Sequence, residues 1–351
     1  CSREDVKRAL DIKETARASG QVDRAIEAAS DAIDGGTGRI GGLLKRRFYP
    51  WSGARYFDWP DENGSRPWRL WLNQHDLISV SSLAAGGTTI AAADYFLRPD
   101  DGPPYTHVEI DLDSSAAFTA GNTHQRAIAI TGVFGHSATT TAAGQLAEAL
   151  DASETGVDVT DSAAAGVGDL IRVDSERMLV TGKTMLDTAV NIDVGDSLTA
   201  SKSDVSITMS TTTNAPAVDE TILVDSERML VVDVAGSVLT VIRGWDGSVL
   251  ATHAAGADIY APRTLTVTRG AVGTTAATHP TSAAVSRHVV PGLVRSLAVA
   301  YALNDVLQEG SGYARVAGSG DNQREFTGRG VRSIEDDAYT AYGRKARTRA
   351  V

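Results

Sequence analysis

The first apolar pattern in the chain has the spacing of an α-helix. Ser2 and Asp5 stand three residues apart, as in a capping box, and Asp34 is followed by two glycines, which are typical of a helix C-terminus. Between these signals, four apolar residues at intervals of four, three and four positions fall on one helical face: Val22, Ile26, Ala29 and Ile33. The N-terminal segment is therefore predicted to be helical.

From residue 44 to residue 134 the pattern changes to short runs of β-branched and aromatic residues separated by Gly, Pro and Asp. These runs predict strands at residues 77–83, 88–91, 95–98, 107–112 and 126–134. The next segment, residues 137–154, is rich in Ala, Thr and Ser, and it predicts a connector with a short helix over residues 142–150.

Arginine and aromatic residues alternate within this β-rich region, which contains four of the five tryptophans. Such interleaving is found in surfaces that stack nucleic-acid bases, and also in packed cores and protein interfaces. Residues 49–156 carry a net charge of −8, which repels a phosphate backbone. Packing and interface roles are therefore favoured for this segment.

A long apolar helix is predicted near the C-terminus, beginning at Pro291-Gly292 and ending before Gly310. Apolar residues cover most of its circumference, which is typical of a helix that is buried on several sides. The candidate residues for packing against sister subunits are Leu293, Leu297, Tyr301, Leu303 and Leu307.

A last helix is predicted beyond it, with Ser333 as its N-cap, acidic residues in its first turn and basic residues in its last turn. Such a helix suits either solvent or an acidic groove of a partner. The candidate docking residues are Tyr339, Tyr342, Arg344, Lys345 and Arg347.

An internal duplication occupies residues 157–289. The octapeptide VDSERMLV stands at residues 173–180 and again at 224–231, and LTVxRG followed by ATH occurs at residues 239–253 and 265–279. Both first motifs precede both second motifs, so one β module is inserted in a loop of its sibling, which the slow rise of loop-closure entropy permits. The predicted outer module comprises residues 157–182 and 265–288, and the predicted inner module residues 205–260.

The duplicated motif raises a catalytic hypothesis, because Ser175 and Ser226 lie beside carboxylates and a histidine recurs in each copy. A serine hydrolase also needs an oxyanion site, and no Gly-x-Ser-x-Gly elbow surrounds either serine. A structural turn, in which Asp and Ser bond the backbone while Glu and Arg pair across strands, explains the motif more simply. The chain is therefore predicted not to be an enzyme, with no catalytic, cofactor or metal site.

Composition narrows the class further. The chain has 351 residues, a single cysteine and a net charge of −11. This length predicts two or three packed units, one cysteine excludes an intrachain disulfide, and no apolar run reaches the ~20 residues of a membrane span. The acidic balance disfavours tight nucleic-acid binding and suits a surface past which DNA slides.

Several motifs together resemble the head-to-tail adaptor (connector) proteins of long-tailed actinobacterial phages. They are DRAIE at residues 23–27, RRFYP at 46–50, RYFDWP at 55–60, PWRLWL at 67–72, ADYFL at 93–97 and GPPY at 102–105. The pairing of DSERMLV with Thr-Val-x-Arg-Gly and the C-terminal helices are also similar. The doubled β module departs from the single copy expected of that family.

The resemblance implies a structural protein of the virion neck, with no cofactor and no membrane association. It would form a twelve-fold ring beneath the portal protein and bind head-tail stopper or tail-completion proteins. Genomic DNA would pass through the lumen without sequence-specific binding, which agrees with the acidic balance. The docking residues of the last helix would then contact the portal.

The expected fold is α+β: a helical connector scaffold over residues 1–156 and 290–351, with a β-rich segment and the nested pair of small sandwich or barrel modules inserted at residues 157–289. An alternative function is that of a tail- or capsid-associated binding module whose twin β units recognise a surface or a glycan. The low aromatic content of the modules, Trp245 and Tyr260, argues against sugar stacking.

Overall fold

The computed structural model of the protein describes residues 1–10, 16–35, 41–59, 67–310, 316–317, 324–325 and 329–344. Strands make up 37% of the structure and helices 22%, and the large antiparallel sheets have ten, four and three strands. The predicted helical connector scaffold is therefore wrong. Most of what was assigned to its N-terminal part forms sheets, because the short β-branched and aromatic runs pair with one another across turns.

The four α-helices of the described residues come from both ends of the chain and form one helical unit. They are α1 (Arg3–Leu10), α2 (Ala16–Asp34), α3 (Gly292–Gly310) and α4 (Arg329–Tyr342). Ala302 and Val306 of α3 share a buried cluster with α1 and α2, and Leu297 of α3 shares another with Ala338 of α4. The apolar face of α3 is thus covered on two sides by its own chain.

The signals at the first two helices are confirmed. Ser2 Oγ accepts a hydrogen bond from the Asp5 amide at 3.2 Å, and the Ser2 amide donates to the Asp5 carboxylate at 3.0 Å. Helix α2 ends before Gly35, whose φ of +94° glycine adopts without strain. The predicted last helix is present, but its predicted N-cap is wrong, because α4 begins at Arg329 and Ser333 lies inside it.

An N-terminal β unit follows the first two helices. Its strands are β1 (Trp51–Phe57), β2 (Arg69–Trp71), β3 (Leu77–Ala85), β4 (Thr88–Ile90), β5 (Tyr95–Arg98), β6 (His107–Ile110) and β7 (Ile128–Phe134). One sheet has the order β1-β7-β3-β4 and the other the order β2-β6-β5, and they enclose a single apolar cluster. Strands β3 to β7 confirm the five predicted strands.

The duplicated region, together with strand β8 from the segment predicted to be a connector, forms the ten-stranded sheet. Its strands are β8 (Thr140–Gln145), β9 (Gly156–Asp158), β10 (Leu170–Val173), β11 (Glu176–Asn191), β12 (Ser206–Thr208), β13 (Thr221–Val224), β14 (Glu227–Ala235), β15 (Val238–Ile242), β16 (Asp258–Thr268) and β17 (Ala284–His288). The helix predicted over residues 142–150 is wrong, because β8 occupies that place. Gly144 has a φ of +84°, which a right-handed helix cannot contain. A short pair, β18 (Val316–Ala317) and β19 (Arg324–Glu325), precedes α4.

Two modules of equal topology divide this sheet. The outer module has the strand order β9-β16-β11-β10-β17-β8, and the inner module has the order β12-β15-β14-β13-β16-β11. Each is closed into a small barrel by a bridge between its end strands, Leu146 with Val159 in the outer module and Ile192 with Met209 in the inner module. The long strands β11 and β16 pass through both barrels, and each barrel has its own buried core.

The insertion point is visible in the strand connections. The inner module joins β14 to β15 by a tight hairpin at residues 235–238. At the equivalent place in the outer module, β11 and β16 run on together and contain the inner module between them. The inserted copy therefore replaces a hairpin turn of the outer barrel, where the chain ends already lie side by side.

Candidate functional site

The duplicated Asp-Ser-Glu motif forms a two-residue turn in both barrels. Val173 pairs with Glu176 across the first turn, and Val224 pairs with Glu227 across the second. The aspartates that open the turns have φ values of +50° (Asp174) and +51°, and aspartate tolerates this left-handed conformation better than most residues. The turn directs the glutamate into the barrel and leaves Ser175 exposed.

Glu176 is the centre of a buried network that we name the outer clasp (Asp174, Glu176, Arg269 and His279). Arg269 binds the Glu176 carboxylate through Nε at 2.8 Å and Nη2 at 2.9 Å. The backbone amides of Gly270 and Ala277 each donate to the same carboxylate at 2.9 Å. His279 Nε2 lies 2.9 Å from Oε2. One carboxylate is thus bonded by both parts of the second repeated motif, the Arg-Gly at residues 269–270 and the Ala-Thr-His at residues 277–279.

The electrostatics of Glu176 follow from these bonds. Burial acts to raise the pKa of the carboxyl, but the hydrogen bonds from Arg269, His279 and the two amides outweigh it and lower the pKa to about 2. The carboxylate is therefore ionised at neutral pH, and its charge is balanced by the guanidinium it binds.

The remaining donors of the outer clasp are also used. Arg269 Nη1 donates to the carbonyls of Asp151 at 2.6 Å and Glu154 at 2.7 Å, and Nη2 donates to the Ala277 carbonyl at 2.6 Å. With the two bonds to the carboxylate, all five N–H groups of the guanidinium have acceptors. His279 Nδ1 lies 2.8 Å from Asp174, so both ring nitrogens face carboxylates.

The inner clasp (Asp225, Glu227, Arg243 and His253) repeats this geometry. Arg243 binds Glu227 through Nε and Nη2, both at 2.8 Å, and the amides of residues 244 and 251 donate to the carboxylate at 2.8 and 2.9 Å. His253 lies 3.0 Å from Glu227 and 2.7 Å from Asp225. Burial again opposes and the hydrogen bonds again lower the pKa of Glu227 to about 2.

The geometry of the clasps does not support the hydrolase hypothesis. A catalytic histidine needs one nitrogen free to take a proton from the nucleophile, and both nitrogens of His279 and of His253 are engaged by carboxylates. Ser175 and Ser226 are exposed on the outer side of their turns. Across the described ranges, no group of three or more His, Cys, Asp or Glu side chains could hold a metal ion. The clasps hold the two halves of each barrel together.

A third buried ion pair was missed by sequence reasoning. Arg263, midway along β16, binds Glu220 at 3.0 and 2.8 Å. The same carboxylate accepts bonds from the amide and the hydroxyl of Ser162 at 3.0 and 3.1 Å. Glu220 directly precedes β13 of the inner module and Ser162 belongs to the outer one, so the pair fixes one barrel on the other. A signal for this pair is present in the sequence, because an acidic residue stands at the same place in both copies: Asp169 in the outer one and Glu220 in the inner one.

The candidate subunit-packing residues divide into two groups. Leu297 is fully buried within the chain, and the Tyr301 hydroxyl donates to Glu335 of α4 at 2.8 Å. Leu303 is half-buried, whereas Leu293 and Leu307 are 39% and 41% exposed. Leu303 packs against the cluster shared by α1, α2 and α3. The structure thus brings Leu293 and Leu307 to the outer side of α3 and places Leu303 at the edge of the buried face.

The candidate docking residues are also divided. Tyr339 is exposed, whereas Tyr342 packs edge-to-face on Phe48 with ring centroids 6.2 Å apart. Arg344 forms an ion pair with Asp76 and donates to the Asn73 carbonyl. Tyr342 therefore packs on the core of the helical unit, and Arg344 joins the end of α4 to the N-terminal β unit. The other two, Lys345 and Arg347, lie outside the described residues.

Protein-family models, curated proteins and solved structures show no match to this chain. Among the helices of the described residues, none has both the length and the hydropathy needed to cross a membrane.

Proposed function

We propose that the chain is a structural subunit of a tailed-phage virion: a head-to-tail adaptor that forms a ring between the portal and the stopper or tail-completion proteins. The motifs that resemble the adaptor family suggest the class. The observation that carries the proposal is an apolar stripe on the outer side of α3.

The stripe has the spacing of a helix-packing seam. Leu293, Ala300, Leu303 and Leu307 follow one another at intervals of seven, three and four residues. Their inward neighbours are buried against α1, α2 and α4, but the stripe itself is exposed or half-buried along the helix. Isolated exposed leucines are ordinary on a protein surface, whereas a row of apolar residues along one side of a helix is typical of an interface. The row is interrupted once, by the exposed Ser296 between Leu293 and Ala300. A sister subunit is the partner that a ring supplies at this position.

The chemistry of the clasps supports a structural role. The most buried ionisable groups of the two barrels are bonded to one another and to the backbone. Such fully satisfied networks are typical of side chains that stabilise a fold. The net charge of −11 supports a lumen that DNA crosses without binding.

The proposal is tested by measuring the mass of the full-length chain by light scattering, alone and with the portal protein of the same virus. A ring, seen also in electron micrographs with a central hole, is the expected particle. Leu307→Asp should prevent ring formation while the circular dichroism spectrum is unchanged. The matched control is Leu112→Asp, because Leu112 is 69% exposed and lies outside the stripe. A chain that stays monomeric with and without portal would refute the proposal.

A second candidate function, recognition of a surface or glycan by the inner barrel, is favoured by one observation. The inner barrel exposes Val232, Ile242 and Val249, the last at 80%. At the equivalent positions, the outer barrel has three threonines: Thr181, Thr268 and Thr275. Exposed apolar side chains at positions where the sibling barrel has polar ones suit an external ligand.

Binding of the full-length chain to a glycan array and to purified capsids tests this second function. Val249→Thr combined with Ile242→Thr copies the outer barrel and should abolish binding. If binding is never observed, the adaptor function has no rival here. Binding that persists in this variant would show that these apolar side chains are not the binding surface.

A further inference from the structure

A group of cationic and aromatic side chains lies on one face of β1. The Trp51 ring lies across Gly53, where an added Cβ would stand 2.3 Å from the ring. The Arg55 guanidinium carbon is 4.3 Å from the centroid of the Trp51 ring, and that of Arg47 is 5.7 Å away. We name Arg47, Trp51, Arg55 and His75 the arginine–tryptophan cluster.

Phe134 joins the members of this cluster. Its ring centroid is 6.2 Å from that of Trp51 and 6.4 Å from that of His75, and the Arg55 guanidinium carbon is 6.0 Å from it. Burial, followed by the charges of the neighbouring arginines, lowers the pKa of His75 to about 4. His75 is therefore neutral at physiological pH, and the positive charge of the cluster is that of its arginines.

These arginines lack a carboxylate partner. Asp76 is the nearby acid, and it is bound by Arg46 and Arg344. Within the described residues, no acidic side chain pairs with Arg47 or with Arg55. Two guanidinium groups that are wholly or partly removed from water without a counter-charge are costly for the fold, unless an anion joins them.

Three polar atoms of the cluster are buried without a hydrogen-bond partner in the described chain: Arg47 Nη1, Arg55 Nε and His75 Nδ1. Arg47 is 6% exposed, so its guanidinium is fixed in place. Trp51 and Arg55 are half-buried, so the cluster reaches the surface through these two side chains, and the three unpartnered atoms lie beneath that surface. Unused guanidinium donors beside an aromatic ring match the acceptors of a phosphate group.

We propose that the arginine–tryptophan cluster is a binding site for a phosphate group, supplied by free inorganic phosphate or by a nucleotide. Arg47 and Arg55 donate to the phosphate oxygens, and the positive charges of both arginines balance a dianion. The Trp51 ring lies within cation–π distance of both guanidiniums and, when the ligand is a nucleotide, presents an edge to the base. This site is independent of ring assembly, because it lies on β1 and not on α3.

Isothermal titration of the full-length chain tests the site, with inorganic phosphate in one arm and adenosine monophosphate in the other. Sodium chloride at matched ionic strength corrects for screening. Saturable binding of phosphate is expected, together with a rise of the thermal midpoint that follows the logarithm of its concentration. A nucleotide that binds about as tightly as phosphate assigns the source to free phosphate, and one that binds markedly more tightly assigns it to a nucleotide.

Arg55→Gln is the diagnostic variant and should weaken phosphate binding about ten-fold or more, as expected for the loss of a charged hydrogen bond. The matched control is Arg126→Gln, since Arg126 lies over Tyr56, with 4.5 Å from guanidinium carbon to ring centroid, and Tyr56 is on the other face of β1. Equal affinities in the two variants, or no saturable binding by the unmodified chain, would overturn the proposal. Trp51→Phe keeps an aromatic ring and should retain binding of inorganic phosphate.

Discussion

The outer and inner barrels share one clasp and differ in what surrounds it. The four clasp residues occupy equivalent positions, and the hydrogen bonds to their carboxylates differ by at most about 0.1 Å between the copies. The bond from the arginine Nη1 to the first backbone carbonyl differs more, at 2.6 Å in the outer clasp and 3.1 Å in the inner clasp. Outside the clasp, the same short turn after Arg-Gly reads Ala271-Val272-Gly273 in the outer barrel and Trp245-Asp246-Gly247 in the inner barrel. The polar interior was therefore retained after duplication while the surface changed.

The surface difference follows from the neighbours of each barrel. In the outer barrel the turn packs on β1, and Arg177 donates to the Ser52 hydroxyl at 2.8 Å. In the inner barrel the equivalent Arg228 pairs with Asp246 of its own turn at 3.1 Å. The outer copy thus uses this surface to hold the two β units together. In the inner copy the arginine pairs within its own barrel, and Gly247 at the end of the turn is exposed.

Removal of a clasp glutamate has the largest expected effect. Glu176→Ala and Glu227→Ala each leave a buried arginine and histidine without their acceptor, and each should lower the free energy of unfolding by about 3–5 kcal/mol. Denaturant unfolding monitored by circular dichroism measures the loss. Losses below about 1 kcal/mol in both variants would show that the clasps do not hold the barrels.

Hydrogen exchange in the same variants separates the two copies. The inner barrel is formed by one continuous segment, so Glu176→Ala should expose outer-barrel amides and leave inner ones protected. Glu227→Ala turns the inner segment into a long open loop, whose closure costs the outer barrel about 4 kcal/mol. Amides of both barrels should then lose protection. Equal exchange patterns in the two variants would contradict this nested order.

Acid should lower the free energy of unfolding by weakening both clasps. The loss per clasp should be smaller than that caused by replacing the glutamate with alanine. The pKa of Glu176 and of Glu227 is about 2 in the folded chain against an ordinary value of 4.5. A lowered folded pKa stabilises the fold above pH 4.5, and that stability is lost as the pH falls from about 4.5 towards 2. The loss should approach about 3 kcal/mol per clasp. Urea unfolding at a series of pH values measures it. Glu227→Gln should remove the share of the inner clasp and leave that of Glu176 and of the other carboxyls with a lowered pKa, such as Glu220.

Local signals predicted a large part of the fold. The capping box at Ser2 and the five strands β3 to β7 depend on residues near each other in sequence, and they were correct. The helix predicted over residues 142–150 failed because alanine content favours a helix, whereas β8 is fixed by pairing with β17, more than a hundred residues later. Helical scaffold assignment failed for the same reason: sheets are decided by partners that a local pattern does not contain.

The candidate site shows the same limit. Repetition of the motif pointed to Glu176 and to its recurring histidine, but the partner of Glu176 is Arg269, 93 residues away, rather than the adjacent arginine of the motif. Arg177 instead contacts Ser52. At the C-terminus, the charge pattern suggested an external partner, whereas Arg344 pairs with Asp76 of its own chain. The sequence shows which residues carry charge or polar groups, but the partner of each residue can be identified only from the fold.

The smallest expected effect isolates the docking surface of the outer barrel. Gly273 and Gly247 are equivalent and have φ values of +82° and +80°, so alanine adds the same backbone strain, about 1 kcal/mol, at both. At Gly273 the new Cβ would also stand 1.9 Å from the Ser52 carbonyl oxygen, whereas Gly247 is exposed. Gly273→Ala should therefore cost a further 1–3 kcal/mol or so, because overpacking forces the outer barrel away from β1. Chemical unfolding of the two variants gives this difference directly, with the strain cancelled. Equal losses would mean that the turn does not hold the β units together, and the two barrels would then differ in sequence at this surface without differing in use.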